Sequence, residues 1–241
     1  MIVYGRQVIR EILKNNKKNI KKIYVIKNSK NIDDIFILAK SQKIFIEFKE
    51  RKEIRELTKT DNNQGIAAEV EDIKILNLDE FLEKNRNKDH VIVCMLDEIE
   101  DPHNIGAIIR SCEIFGVCGI ILPSKRCAPV NETVYKVSSG AIEYIDIIEV
   151  NNLNNAIYKL KEENFWIYGF DINGSELLEN MQFDKKSVLV FGNEGRGLRK
   201  LVKQNCDFLV KIRQKGKIGS LNVSNAAAIV FYEVMKKIEK I

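Results

Sequence analysis

The stretch "VIVCMLDEIEDPHNIGAIIRSCEIFG", residues 91–116, decides how the chain is read. It opens on a short, unbroken apolar run, passes through a polar loop and enters the helical pattern "NIGAIIRSCEIFG". The alternation continues with "CGIIL", a helix expected over residues 134–141, "YIDIIEV", "NNAIYKLKEEN", "FWIYGF", "SVLVFG", "GLRKLVKQN", "DFLVKI" and a final helix. Near-continuous apolar strands alternating with helices indicate a buried parallel sheet covered on both faces. The expectation for residues 89–241 is therefore one parallel-sheet α/β domain.

Upstream the pattern is shorter and mixed. A helix over residues 4–14, the strand "IKKIYVI", a helix over 33–41, the strand "IFIEF", a short helix from Arg51 and the strand "GIAAEV" make a small α/β sandwich of residues 1–72. Residues 73–88 are polar and charged with one amphipathic segment, and read as a linker between the domains.

Bulk properties restrict the function. In 241 residues, 45% hydrophobic and 30% charged, no apolar run reaches the roughly 18 residues of a membrane span. The start "MIVYGRQVIREILKN" is too polar for a signal peptide, so a cytoplasmic location is expected. Five cysteines without a C-x-x-C pair, beside two histidines, compose no zinc site and read as reduced, mostly buried thiols. The net charge of +5 is unevenly held: residues 1–72 carry 16 Lys and Arg against 11 Asp and Glu, and the remainder balances. The run "KNNKKNIKK" at 14–22 belongs to this basic third. It is either a solvated lysine face or a surface that meets nucleic acid.

In parallel sheets, ligands bind beyond the carboxyl ends of the strands. Three segments fall there: 97–110 "DEIEDPHNIGAIIR", 189–198 "LVFGNEGRGL", and 217–234 "KIGSLNVSNAAAIVFYEV". Nucleotide fingerprints do not fit: there is no G-x-x-x-x-G-K-[ST], and Gly192, Gly195 and Gly197 stand in the wrong order for a dinucleotide loop. Those glycines still permit close backbone approach to a ligand. In the third segment Gly219, Ser220, Asn222 and Ser224 crowd the start of a core helix where one capping residue would be enough.

Taken together, Asp101-Pro102-x-Asn104-x-Gly106-Ala107 with Arg110, then "GNEGRGL", then "SLNVSNA" resemble, in order and separation, the three motifs of the SpoU (TrmH-like) family of RNA 2'-O-methyltransferases, within the SPOUT group. "YGRQVIREIL", "QGIAAEV", "RCAPVNETVYKVSSGAIEY" and "ENFWIYG" resemble the subgroup acting on a guanosine of bacterial 23S rRNA. The resemblance implies an L30e-like RNA-binding domain, a catalytic domain with a C-terminal trefoil knot, a homodimer, and S-adenosylmethionine bound by the knot loops. It implies an RNA partner rather than DNA or a membrane.

By the same resemblance Asn104, Arg110, Glu194 and Asn222 are the polar residues of the active site, and Gly192, Gly195, Ile212 and Leu221 hold the cofactor. Gly195 is expected where backbone passes close to the ligand, and Gly219, Ala226 and Ala227 where backbone segments pass close together. Family proposals give the proton-accepting role to the position of Arg110, but arginine keeps its proton above pH ~12. Arg110 then reads as a grip on the target phosphate and 2'-oxygen, with Glu194 and His103 as alternative acceptors. Two positions depart from the family pattern: Arg213-Gln214 stands where Pro-Met is usual, and Asn225 where Val is usual, placing a polar group in the start of a core helix. A tRNA ribose methyltransferase of the same family, and a non-catalytic RNA-binding protein, are the alternatives.

Overall fold

The computed structural model describes residues 1–15, 20–27, 29 and 31–238. Lys17 and Lys18 of the basic run lie outside the described residues. The chain divides into two compact units: Met1–Lys74 with Val130–Tyr144, and Ile75–Pro129 with Ile145–Ile241.

In the first unit, β1 (Ile2–Tyr4), β2 (Ile20–Ile26), β3 (Phe45–Lys49) and β4 (Ile66–Val70) form a sheet in the order β1-β4-β2-β3. β4 runs antiparallel to both β1 and β2, while β2 and β3 are parallel. Helix α1 (Arg6–Lys14) buries Val8, Ile9, Ile12 and Leu13, the apolar face its spacing encodes. Helices α2 (Asp33–Ser41) and α3 (Arg51–Thr58) follow, α3 opened by a capping box between Glu50 and Glu53.

The second unit is built on an eight-stranded sheet. Its strands are β5 (Ile75–Leu76), β6 (Val91–Asp97), β7 (Gly119–Pro123), β8 (Asp146–Val150), β9 (Trp166–Phe170), β10 (Glu176–Leu177), β11 (Lys186–Gly192) and β12 (Phe208–Lys211). They lie in the order β10-β12-β9-β11-β6-β7-β8-β5, and every pairing is parallel. All seven residues of β6 are buried, as its unbroken apolar run requires. Around the sheet stand α4 (Leu78–Asn85), α5 (Pro102–Ile114), α7 (Leu153–Glu162), α8 (Lys200–Asn205) and α9 (Val223–Ile238).

Besides the short strands β1 and β10, which the sequence reading does not contain, two segments differ from it. The stretch read as a linker is built into the second unit: β5 pairs with β8, and α4 sinks Phe81 completely into the core with Val91, Val93 and Ile148. Its charged residues face outward, which made a half-buried helix look like connecting chain. The segment read as a helix of the catalytic domain forms α6 (Glu132–Val137) and a short 3-10 turn (Ala141–Glu143), and both pack in the first unit. There the Tyr135 hydroxyl donates to Glu143 Oε1 at 3.0 Å, Asn15 Nδ2 donates to the Glu143 carbonyl at 2.6 Å, and Lys136 Nζ stands 5.3 Å over the Tyr4 ring.

Candidate active site

β6 and β11 are neighbours, and their register sets Gly192 opposite Asp97, so the loops that follow them start side by side. The second loop must then turn sharply: an added Cβ at Gly192 would lie 2.2 Å from the Gly197 carbonyl carbon and 2.3 Å from the Leu198 nitrogen. Only glycine fits there. Gly195 is different, because its nearest neighbour would be Asn193 Oδ1 at 3.6 Å. Close approach of neighbouring protein backbone is thus a property of Gly192. Gly219 likewise has nothing within 4 Å, so it does not serve close passage of backbone, whereas Ala227 is wholly buried on α9.

Three expected residues meet through one chain of hydrogen bonds. Asn222 precedes α9 and caps it, its Oδ1 accepting from the Ser224 N–H at 2.9 Å and the Ser224 hydroxyl at 2.6 Å. Asn222 Nδ2 donates to Asn104 Oδ1 at 3.0 Å, and Asn104 Nδ2 donates to Glu194 Oε1. Every donor points the same way, from the α9 cap through α5 to the carboxylate in the second loop. Such a chain polarises along its length and orients the carboxylate at its end. This accounts for the polar crowd before α9: one carboxamide both caps the helix and joins two loops.

Beside Glu194 opens a cleft of about 380 Å3, within the range of small-molecule sites. Gly192, Gly195, Ile212 and Leu221 all line it, with Gly219 and Ser220 from the third loop and Phe170 and Asp171 from the end of β9. Four glycines, Ser220 and Ala226 stand in the lining among larger apolar and polar side chains, and at the glycines a ligand can reach backbone groups. A flat apolar moiety has Phe170, Ile212 and Leu221 for contact, and polar groups have Asp171, Asn173 and the loop amides.

Arg110 lies exposed on α5, six residues past Asn104, and is not among the residues lining the cleft. His103 is exposed at the start of α5, where its backbone N–H donates to Asp101 Oδ1 at 2.8 Å. Asn225 is exposed on α9, so the departure from the family pattern puts no polar group into the core. Arg213 is exposed and pairs with Glu179 at 2.5 Å; a backbone hydrogen bond, and after it this contact, holds that carboxyl below its usual range.

A charged cluster below the loops escaped the sequence reading. Asp97, fully buried, accepts from the Arg199 N–H at 2.8 Å and from Arg199 Nε at 2.6 Å. Glu98, 3% exposed, faces Arg126 at 3.1 Å, Arg199 at 3.2 Å and Arg196 at 3.5 Å. Its backbone sits at φ 61, and its carbonyl accepts from Asn193 Nδ2 at 2.9 Å. Buried carboxylates persist only when paired, so these contacts bind the first and second loops to each other. The signal was present as two acidic residues ending a strand buried on both faces.

Comparison with known proteins agrees with this geometry. The model of the SpoU rRNA Methylase family matches residues 90–232, and that of the RNA 2'-O ribose methyltransferase substrate-binding domain matches residues 2–75. The Bacillus subtilis (strain 168) protein YacO, named for the TrmH family of tRNA/rRNA methyltransferases, is 36% identical over 98% of this chain and 95% of its own. A Staphylococcus aureus (strain COL) protein named for the same family is 38% identical over 83% of this chain and 80% of its own. Among solved structures, the SpoU methyltransferase AviRb from Streptomyces viridochromogenes, in complex with AdoMet, superimposes with a TM-score of 0.83 at 20% identity, covering 100% of this chain and 91% of that one. The AdoMet-bound rRNA methyltransferase from Sinorhizobium meliloti gives 0.80 at 22% identity, covering 98% and 86%. With the motif loops assembled as described and both halves of the chain matched, the protein belongs to the SpoU family of RNA methyltransferases.

Proposed function

We propose that the protein methylates a ribose 2'-hydroxyl of RNA, using S-adenosylmethionine bound in the cleft beside Glu194, and that its target is a guanosine of 23S rRNA. The observation that carries this reading is a cleft lined by the second and third motif loops, to which the first is joined by the hydrogen bonds from Asn222 through Asn104 to Glu194. S-adenosylmethionine supplies an electrophilic sulfonium methyl when bound. The chain's own task is to position the 2'-oxygen and take up its proton. Glu194 is the acceptor the geometry favours: one carboxylate oxygen is held by Asn104 and the other is left for the substrate hydroxyl. Arg110, set at the exposed surface of α5, grips the target phosphate rather than removing a proton. His103 is the alternative acceptor.

In this reading the first unit presents the RNA and the second carries the chemistry, with the third loop part of a trefoil knot. A homodimer fits the apolar side chains exposed on α5 and α9, Ile114, Ile229 and Tyr232, which a monomer would leave in water. Mapping 2'-O-methyl groups in ribosomal and transfer RNA, with and without the gene, tests the target. Loss of one methyl from a 23S rRNA guanosine is expected. Loss from a tRNA instead would move the substrate to tRNA, in line with the tRNA/rRNA naming of the relatives.

A further inference from the structure

The first unit holds its own concavity, about 360 Å3 in volume. Arg6 at the start of α1, Lys27 after β2 and Arg51 at the start of α3 wall it, together with the turn at residues 61–65. Three cations converge there, while the one carboxylate in the lining, Asp61, pairs with Arg55 at 3.5 Å. Arg6 Nε is buried and has no hydrogen-bond partner among the described residues. A buried donor left unmade costs folding free energy, so a native structure that keeps one calls for a reason.

The turn opposite is fixed by its own bonds. The Arg6 N–H donates to Gln64 Oε1 at 2.8 Å, the Gly65 N–H to Asn63 Oδ1 at 2.9 Å, and Asn63 Nδ2 to the Thr60 carbonyl at 2.7 Å. Gln64 is held at φ 59, a left-handed conformation that a non-glycine residue adopts only where its surroundings impose it. The wall is thus preorganised beside Arg6, a lining residue whose guanidinium can match the oxygens of a phosphate with parallel hydrogen bonds. Beside the paired Arg55, Lys52 and Lys59 carry positive charge on along α3 into a third concavity, which Glu56 also lines.

We propose that this cleft seats a backbone phosphate of the RNA substrate, with Arg6 as its main ligand, Arg51 and Lys27 as flanking charges, and the α3 cations taking neighbouring phosphates. The proposal rests on the RNA methyltransferase reading and adds to it the residues by which the first unit grips RNA.

The test uses the full-length protein and a 23S rRNA fragment that the wild type binds and methylates. Affinity is measured across a salt series for wild type, Arg6→Met, Arg51→Gln and, as a charge-matched control outside the cleft, Lys40→Gln. Arg6→Met and Arg51→Gln should each weaken binding about tenfold and flatten the log–log salt dependence by about one, with Lys40→Gln close to wild type. Arg6→Met should melt no lower than wild type, because it removes the unmade donor and keeps the stem. Far-ultraviolet circular dichroism and the melting curve show that the first unit is folded in the variants, and S-adenosylmethionine binding shows the same of the second. Equal affinity and slope for Arg6→Met, Arg51→Gln and wild type overturn the proposal while leaving the methyltransferase reading intact. Inorganic phosphate that raises the melting temperature of wild type but not of Arg6→Met, with RNA affinities unchanged, would make the cleft a free-anion site and also overturn it. A wild type that transfers no methyl to any RNA is instead a failure of the enzymatic reading.

Discussion

Asn222 caps α9 through its Oδ1 and reaches Asn104 through its Nδ2, and substitution can part these tasks. Asn222→Ser keeps a capping oxygen but loses the reach. Melting is therefore expected within a degree or two of wild type, with methyl transfer down at least tenfold. Asn222→Ala loses both, and about 1 kcal/mol of stability with them. If Asn222→Ser retains full turnover, the hydrogen-bond chain does not serve catalysis. Glu194→Gln keeps the shape and an acceptor for Asn104 but not the basic oxygen, and should lower the rate by about 100-fold or more. Arg110→Lys keeps charge without the planar fork, so a large loss of transfer is expected with cofactor binding unchanged. Turnover near normal for Arg110→Lys at saturating RNA would reduce Arg110 to a point charge. Asn104, Glu194 and Asn222 could be picked out from the sequence because motif order carried them. Asp97, Glu98 and Arg199 could not, since an acidic pair ending a strand looks like any loop start until its arginines are placed.

At the scale of elements, the second motif shows why glycines that look alike in sequence differ in consequence. Gly192 ends β11 and faces the returning backbone at Gly197 and Leu198, while Gly195 sits at the turn's open side. Gly192→Ala must displace main chain, and a cost of about 1–3 kcal/mol or more is expected in chemical denaturation. Gly195→Ala should unfold like wild type, and Gly195→Val should act on the ligand alone, weakening S-adenosylmethionine binding in calorimetry by intruding on the cleft. Equal stability of Gly192→Ala and wild type would contradict the packing described. The regular elements of both sheets were legible because buried parallel strands and amphipathic helices each leave a period in the sequence. β1, β5, β10 and α4 were not: strands of two or three residues have no period, and one deeply buried Phe81 among charges looks like a linker.

Across the whole molecule, the division of charge and the strand–helix alternation were readable, but the composite first unit was not. Residues 130–144 return to it from the middle of the second unit, and no local pattern reports a partner more than a hundred residues away. The cysteines bear on the pH range of the fold. No disulfide joins them among the described residues, and burial pushes the Cys118 thiol up to about 11 and those of Cys127 and Cys206 up to about 12. An unfolded chain ionises its thiols near pH ~8.5, whereas the folded one keeps these protonated. Their contribution to stability is therefore complete below that pH and is lost as pH rises toward 11 to 12. The melting temperature should hold level to about pH 8 and fall beyond 9; a level course to pH 11 would contradict the burial of these thiols.

One measurement asks directly whether the loops around Glu194 carry methyl transfer to RNA ribose. The purified protein is incubated with methyl-labelled S-adenosylmethionine and protein-free 23S rRNA, and the product is digested and mapped for 2'-O-methyl nucleosides. Label in a single 2'-O-methylguanosine, abolished in Glu194→Gln protein that still binds the cofactor, is the predicted result. Label on a base, or a Glu194→Gln protein as active as wild type, would contradict the account.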